Sequence, residues 1–305
     1  MTDENTADLV RRINELRKSL NAVIVAHNYQ RPEVQDIADI TGDSLELARE
    51  CTKVQADVIM FCGVQFMAET AAILNPERTV LLSQADAGCP MADMIDVESL
   101  RRWKREHPNA AVVCYVNSSA AVKAESDVCC TSANAVKIVE SLPNDEILFI
   151  PDQHLGHYVS TKTSKRIILY PGFCPPHQRL SPRHMKLAKE LHPDAVVLVH
   201  PETSAEVIAL ADAALSTSQM LRYAKESDAT TFLIGTEEGL VYTLRQQNPD
   251  KTFLLLTEGL LCRDMKKTTL EAIVRTMEER RNVVSVPEEI RVRAKLALDR
   301  MLAVS

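Results

Sequence analysis

The feature that most constrains the fold of this 305-residue chain is a set of landmarks that occurs three times. In each copy, a polar residue closes the first apolar, strand-like run: His27, Tyr115 and His200. A hydroxyl residue stands 17 positions after each of these anchors: Ser44, Ser132 and Thr217. A further strand-like run ends 36, 36 and 35 positions after the anchors, at Gly63, Pro151 and Gly235.

The last landmark of each copy is a cysteine, 62, 59 and 62 positions after the anchor: Cys89, Cys174 and Cys262. Four landmarks in one order, with length differences of three residues or fewer, indicate an internal triplication. A glycine stands one to three residues before each cysteine: Gly88, Gly172 and Gly259. Because glycine tolerates positive φ and close approach of another backbone, we expect these loops to turn tightly around a bulky group.

Short apolar runs alternate with helical stretches along the whole chain, which is typical of parallel α/β units. Strands are predicted at 22–26, 57–62, 79–83, 110–115, 146–150, 166–170, 195–199, 230–234 and 252–257. Three shorter strands are expected to end near Asp43, Cys130 and Ser216. The predicted fold class is α/β, with three similar four-stranded parallel αβα domains around a pseudo-threefold axis. We place these domains at 1–108 with an N-terminal helix, 109–193, and 194–305 with a C-terminal helix.

Net charge and hydropathy limit the kinds of function that we expect of this chain. The chain is 46% hydrophobic and has a formal net charge of -7, which disfavours a nucleic-acid or anionic-membrane surface. The first residues lack the basic and apolar regions of a signal peptide, and no uncharged apolar run is long enough for a membrane span. We therefore expect a cytoplasmic protein.

The eight cysteines point to a metal or catalytic role in such a compartment, and not to a disulfide framework. Three similar units around one axis would bring one cysteine loop each to a common centre, because ligands meet the carboxyl ends of parallel strands. Three thiolates without a fourth suit one 4Fe-4S cluster with an open iron. The remaining cysteines are expected to be core residues: Cys51, Cys62, Cys114, Cys129 and Cys130. A redox role is left open for Cys129 and Cys130.

A zinc site is the alternative at this centre. In the run Cys174-Pro175-Pro176-His177, the imidazole of His177 would complete a set of three thiolates and one histidine. The closely spaced cysteine pair that many zinc sites have is absent around the repeat cysteines.

Around these residues the chain resembles the quinolinate synthases, and the resemblance extends over nearly its whole length. It is carried by HNYQ at His27 and by GDSLELA, FMAETA, YVNSSAAVKAESDVCCTSANA, GFCPPH, HPE, STSQM and MKKTTLE. The resemblance is weaker in the third repeat, where Leu215 and Arg263 replace a glycine and a proline of many members. A C-terminal C-x-x-C pair of some members is missing here.

The resemblance implies a transferase that condenses iminoaspartate with dihydroxyacetone phosphate to quinolinate, phosphate and two waters, in NAD biosynthesis. It implies one 4Fe-4S cluster per chain on Cys89, Cys174 and Cys262, with the open iron as a Lewis acid. It also implies functional coupling to the enzyme that supplies iminoaspartate, and a homodimer is one assembly to consider. We expect no nucleic-acid or membrane partner.

Candidate substrate-binding residues follow from the repeat and from the resemblance. Hydroxyl groups before helices either cap the helix or leave its N-H groups free for an anion: Ser44, Ser132, Ser216 and Thr217. Imidazoles are further donors: His27, His177 and His200. Tyr115 and Asn117 would contact the dicarboxylate, and the predicted set also includes their neighbours Val116, Pro201 and Glu202.

Ring formation requires proton abstraction next to a carbonyl or imine and the loss of two waters. We assign the general base and acid to Glu202 and Tyr29, with His27 polarising the carbonyl. Glu202 could instead complement a helix dipole. Asp152 and Glu237 are expected to fix loops, whereas Lys266 and Lys267 either solvate a surface or contact a phosphate.

Two other functions fit the same residues. One is a 4Fe-4S hydro-lyase that acts on another small acid, and the other is a non-catalytic metal-binding or redox-sensing protein.

Overall fold

A computed structural model describes residues 3–304 and contains three four-stranded, all-parallel sheets. The first sheet is formed by β1 Ala22–His27, β2 Ile40–Gly42, β3 Val58–Cys62 and β4 Thr79–Leu82. The second is formed by β5 Ala111–Tyr115, β6 Val128–Cys130, β7 Glu146–Ile150 and β8 Arg166–Leu169. The third is formed by β9 Val196–Val199, β10 Ala213–Ala214, β11 Thr231–Gly235 and β12 Thr252–Leu255.

All three sheets have the same strand order, in which the second strand of the set lies at one edge, followed by the first, third and fourth. The predicted fold class, with three similar units, is therefore confirmed. Predicted strand ends agree with the observed ones to within one or two residues. The agreement is clearest for β3 and β5, which are buried along their whole length and read as continuous apolar runs.

Helices connect the strands and cover the sheets. In the first unit they are α1 Asp3–Ser19, α2 Pro32–Ile37, α3 Ser44–Cys51, α4 Gln65–Leu74 and α5 Val97–Glu106. In the second they are α6 Ala120–Ala124, α7 Ala135–Ser141, α8 Gln153–Ser160, α9 Pro175–Gln178 and α10 Pro182–Leu191. They continue with α11 Ala205–Ile208, α12 Thr217–Glu226, α13 Gly239–Gln247, α14 Leu270–Glu279 and α15 Glu288–Val304, and two short 3-10 helices lie at Ala92–Met94 and Met265–Lys267.

The last two helices leave the third sheet and pack on the other units. Helix α14 lies against α1 and the first sheet, and α15 lies against α4, α6 and β6. Ala294, Leu298 and Met301 of α15 are fully buried and belong to the core that the first and second sheets share. The domain boundaries after residues 108 and 193 stay a prediction, since packing alone does not divide the chain there.

An aspartate ties the first two strands of each unit together. Its carboxylate accepts a 2.8 Å hydrogen bond from a backbone N-H 15 residues earlier: Asp39 from Ile24, Asp127 from Val112, and Asp212 from Val197. The backbone N-H of each aspartate donates in turn to the carbonyl of that same partner. The short second strand of each unit is thereby held in register with the first.

None of the helices within residues 3–304 is both long enough and apolar enough to cross a bilayer.

Replacing Asp127 by alanine should lower the free energy of unfolding by about 1–3 kcal/mol, because the partly buried N-H of Val112 loses its acceptor. Urea unfolding monitored by circular dichroism measures this change. The matched control is Asp145→Ala, which removes an exposed aspartate next to β7. An equal loss of stability in both variants would contradict the role given to Asp127.

Candidate active site and metal centre

The carboxyl ends of the three sheets surround one cavity of about 680 Å³, including its open mouth. Thirteen of the predicted site residues line it: His27, Tyr29, Ser44, Cys89, Tyr115, Asn117, Ser132, Cys174, His177, His200, Glu202, Thr217 and Cys262. Val116, Pro201 and Ser216 do not line it; they lie beside residues that do. The spacing of the repeats therefore brings residues from the whole length of the chain into one place.

Each cysteine loop is held by the same backbone hydrogen bond. The N-H of a residue shortly after the third strand of the unit donates to the carbonyl two positions before the cysteine. These three bonds are each 2.8 Å long: Gln65 to Ala87, Gln153 to Gly172, and Glu238 to Leu260. The position of every cysteine is thus fixed by the end of a central strand.

Each cysteine also begins a helical turn, because its carbonyl accepts from the N-H four residues later, in Asp93, Gln178 and Lys266. The Cys89 thiol faces the N-H groups of Met91 and Ala92, and the Cys262 thiol faces those of Asp264 and Met265. The Cys174 thiol faces only the N-H of His177, because Pro176 has none. Burial nevertheless raises the pKa of Cys89 to about 12, and it also raises the pKa values of Cys174 and Cys262. Because a metal is bound by the thiolate form, any metal centre held by these thiols would have to supply the energy of their deprotonation.

The glycine prediction holds at two of the three loops. Gly259 has a φ of +82°, and a Cβ on Gly172 would lie 2.5 Å from the Pro151 carbonyl oxygen. Gly88 has neither a positive φ nor a close neighbour, so the expectation was wrong there. The loop of the first unit turns without help from glycine.

Glu202 lies at the centre of a buried hydrogen-bond network. Its carboxylate accepts from the Tyr115 hydroxyl at 2.8 Å and from His177 Nδ1 at 2.7 Å, and His200 Nδ1 lies 3.4 Å away. Burial opposes the charge on Glu202, but His200 and His177 hold the pKa of this carboxyl well below its usual value. Glu202 therefore faces the cavity as a carboxylate, which is the form that a base requires.

Thr236 is a member of this network that the sequence reasoning missed. Its hydroxyl lies 2.8 Å from His177 Nε2 and 2.5 Å from the Tyr29 hydroxyl, and the residue is fully buried. These contacts form a continuous hydrogen-bonded row from Glu202 through His177 and Thr236 to Tyr29. The only available signal was its position directly after Gly235, where a strand ends.

The two anchor histidines have the same local geometry. The N-H of Tyr29 donates to His27 Nδ1 at 3.1 Å, and the N-H of Glu202 faces His200 Nδ1 at 3.3 Å. The His27 ring therefore carries its proton on Nε2 when neutral. Burial lowers the pKa of His27 to about 3, so this ring is a neutral hydrogen-bond donor at pH 7, and burial also lowers the pKa of His200.

The hydroxyl residues differ from the prediction in how they meet the helices. Ser44 and Thr217 are the first residues of α3 and α12, whose caps are Asp43 and Ser216, while Ser132 lies before α7 without capping it. Only Ser216 caps a helix through its hydroxyl, which accepts from the N-H of Gln219. At the other three positions another residue occupies the capping position, and the hydroxyl side chain lines the cavity.

Two of these hydroxyls join neighbouring units. Thr217 accepts from the Asn28 amide of the first unit at 3.1 Å, and Ser132 lies 3.2 Å from His200 Nε2 of the third unit. In both pairs the anchor of one unit, or the residue directly after it, meets the hydroxyl of a neighbouring unit. The oxygen Oδ1 of Asn117 is buried without a protein partner within residues 3–304, and this side chain lines the cavity.

The charged side chains that line the cavity are not those expected of a site that binds anions. No lysine or arginine lines it in the part of the chain that the structure describes. Its polar groups are hydroxyls, an amide, thiols and imidazoles, together with the carboxylates of Asp43, Glu202 and Glu237. An anion in the cavity would therefore be bound without a lysine or arginine of its lining.

The donor set fits a metal cofactor. Three thiols from three units line one cavity, and no other cysteine lines it among the described residues. Atoms of Cys174, His177 and Glu202 also lie within 4.8 Å of one another, so a single ion is a second arrangement that these side chains permit. The His177 Nδ1 to Cys174 Sγ distance is 3.1 Å.

Comparison with known proteins identifies relatives over the whole length. A family model described as Quinolinate synthetase A protein matches residues 11–303. The chain is 57% identical over 293 residues to a quinolinate synthase of Dehalococcoides mccartyi strain CBDB1, covering 96% of this chain and 97% of that protein. It is 54% identical to quinolinate synthase 1 of Methanosarcina acetivorans over 298 residues and to quinolinate synthase of Geobacter metallireducens over 299 residues, with 98% of each chain covered.

The neutral state of His27 has a consequence for stability at low pH. Below about pH 6.5 the unfolded chain takes up a proton that folded His27, with its pKa of about 3, does not bind. Stability should therefore fall as the pH drops from neutrality toward 4, and His27→Asn should show a smaller fall. Urea midpoints measured across this range give the comparison, with exposed His157→Asn as control. The same pH dependence in wild type and His27→Asn would rule out this contribution.

Proposed function

The chain belongs to the quinolinate synthetase A family, and on that premise we propose that it is a quinolinate synthase that acts in NAD biosynthesis. The proposed substrates are iminoaspartate and dihydroxyacetone phosphate, which yield quinolinate, phosphate and two waters. The single observation that supports this best is the cavity in which three repeat cysteines meet the Glu202 network. The enzyme that makes iminoaspartate would be its functional partner.

We propose that Cys89, Cys174 and Cys262 hold one 4Fe-4S cluster. The fit rests on the donor set, because three thiols without a fourth leave one iron without a protein ligand. When bound, the cluster would supply Lewis acidity toward a substrate oxygen. It would also supply the positive charge that the cavity lining lacks.

Substrate anions would be held by neutral donors of the protein. Asn117, Ser44 and Thr217 face the cavity from different units, and the Nε2-H of His27 is a further donor to a carbonyl or carboxylate oxygen. Neutral donors bind dianions less strongly than arginine would, and they also hold product less tightly. The arrangement suits an enzyme that must release a dicarboxylate and a phosphate.

Glu202 and Tyr29 are the proposed proton carriers. Glu202 is held as a carboxylate and can accept a proton from carbon next to the imine or carbonyl. Burial and the charge of Glu202 raise the pKa of Tyr29 well above its usual value, so the phenol keeps its proton and can donate it to a leaving hydroxyl. His177 and Thr236 lie between these two groups and fix their orientation.

Purified under anaerobic conditions, the protein should form quinolinate from iminoaspartate and dihydroxyacetone phosphate. Product is measured by chromatography against authentic quinolinate, and Glu202→Gln should lower kcat by at least about 100-fold because the base is lost. Failure of a fully loaded protein to make quinolinate would favour the hydro-lyase or the redox-sensing alternative.

Single replacements of Cys89, Cys174 or Cys262 by serine should each abolish the cluster. Iron and sulfide analysis and the absorbance band at about 400 nm measure its content. The control is Cys62→Ser, which alters a buried cysteine of β3 outside the cavity. A colourless wild type with stoichiometric zinc, or a cluster that survives loss of one of the three residues, would contradict the assignment.

A further inference from the structure

Two loops that belong to different units meet behind the cavity wall. One is residues 28–31 after β1, and the other combines residues 236–239 after β11 with the turn at 265–267. A Cβ on Gly239 would lie 2.7 Å from the Tyr29 carbonyl oxygen and 2.8 Å from Lys266 Nζ. Arg31 donates to the Lys266 carbonyl at 3.0 Å. These loops are therefore in close backbone contact.

Glu237 and Lys266 form an ion pair inside this contact. Lys266 Nζ lies 2.9 Å from Glu237 Oε1, and the side chains are 10% and 1% exposed for the lysine and glutamate. Neither the surface role nor the phosphate contact considered for Lys266 describes this position. A buried pair gains little net stability over apolar residues, so its value lies in the geometry that it imposes.

The pair connects a predicted cluster ligand to the predicted proton donor. Glu237 accepts from the backbone N-H of Cys262 at 3.1 Å and from that of Gly239 at 2.8 Å. Lys266 donates to the backbone carbonyl of Tyr29 at 2.5 Å. Because Thr236 binds the Tyr29 hydroxyl, the third unit holds Tyr29 at both its backbone and its phenol.

The other two units lack the ion pair, although Asp152 of the second unit faces the backbone N-H of Cys174 as Glu237 faces that of Cys262. The residues four positions after Cys89 and Cys174 are Asp93 and Gln178, where the third unit has Lys266. The position of Glu237 corresponds to Val64 in the first unit and to Asp152 in the second, as judged from the shared loop hydrogen bond. The fold can therefore hold a cysteine loop without the pair, and the pair occurs where the neighbouring unit carries Tyr29.

We propose that Glu237 and Lys266 are positioning residues that set the distance between the Tyr29 phenol and the metal centre on Cys262. This role rests on the proposed function, since it assumes that Tyr29 donates a proton to substrate bound at that centre. Glu237 fixes the cysteine loop by accepting a hydrogen bond from the N-H of Cys262. Lys266, which is paired with Glu237, donates to the Tyr29 carbonyl and so holds Tyr29 in a fixed position relative to that loop. Misplacement of the phenol would slow the proton transfer more than it would weaken substrate binding.

The test compares three variants with a control. The variants are Lys266→Met, Glu237→Gln and the combination of the two, and the control is Lys267→Met. Lys267 is a matched control, because it is the adjacent lysine and forms ion pairs with Asp86 and Asp264 at the surface. Lys266→Met should retain wild-type iron and sulfide, lower kcat by at least about tenfold, and change KM by less than about threefold. The double variant should be no slower than the slower single variant, because the two residues act as one unit.

A second measurement, the rate at which a chelator removes iron, does not depend on catalytic turnover. Removal of iron by a chelator, followed at about 400 nm, should be faster in Lys266→Met and Glu237→Gln than in Lys267→Met, because the Cys262 loop is less firmly held. Gly239→Ala provides an independent perturbation that keeps both charges, since its methyl group pushes on Tyr29 and Lys266. It should show the same loss of kcat at similar KM, and it decides the question if Lys266→Met does not fold.

A Lys266→Met enzyme with wild-type kcat and chelation rate would overturn the proposal, as would an equal defect in Lys267→Met. A loaded wild type that forms no quinolinate would contradict the proposed function instead. In that case the chelation rates still test whether the pair holds the Cys262 loop.

Discussion

The structure depends on one backbone constraint that occurs three times. A residue after the third strand of each unit donates its N-H to the carbonyl two positions before a cysteine, at 2.8 Å in every case. Because the carboxyl ends of parallel strands lie at one edge of their sheet, this bond fixes the position of the thiol relative to that edge. Three such units, arranged about one axis, place three thiols in a single cavity without any sequence motif in which cysteines are close together.

The cavity that results is unusual in its charges. It is lined by carboxylates, hydroxyls, thiols and imidazoles, and Lys266 forms an ion pair with Glu237 of the lining. Glu202 and Tyr29 occupy opposite ends of a hydrogen-bonded row through His177 and Thr236, with one group held ionised and the other held protonated. Two groups with pKa values that differ so far are what acid and base catalysis in one site require. The donor set, the family and this network all support the same proposed chemistry.

Much of the fold could be predicted because the repeat spacing carries long-range information. The apolar runs located all twelve strands. The repeat landmarks located nine of the thirteen cavity residues, and the neighbouring motifs with the family resemblance gave the other four: Tyr29, Asn117, His177 and Glu202. Asp39, Asp127 and Asp212 were missed although each stands 12 positions after an anchor, so the same comparison could have found them. Thr236 and the Glu237 to Lys266 pair could not be found in this way, since they are specific to the third unit. The capping prediction failed at Ser44 and Thr217 because Asp43 and Ser216 precede them, and a cap depends on a shift of one residue.

The packing of α14 and α15 affects the order in which the molecule can be completed during synthesis. Residues 270–304 come last in the described chain, yet they cover α1, α6 and the core between the first two sheets. A nascent chain that stops before residue 270 has all three cysteines but exposes apolar surface on two of its three units. All three thiols are thus synthesised before the last two helices can cover the first and second units.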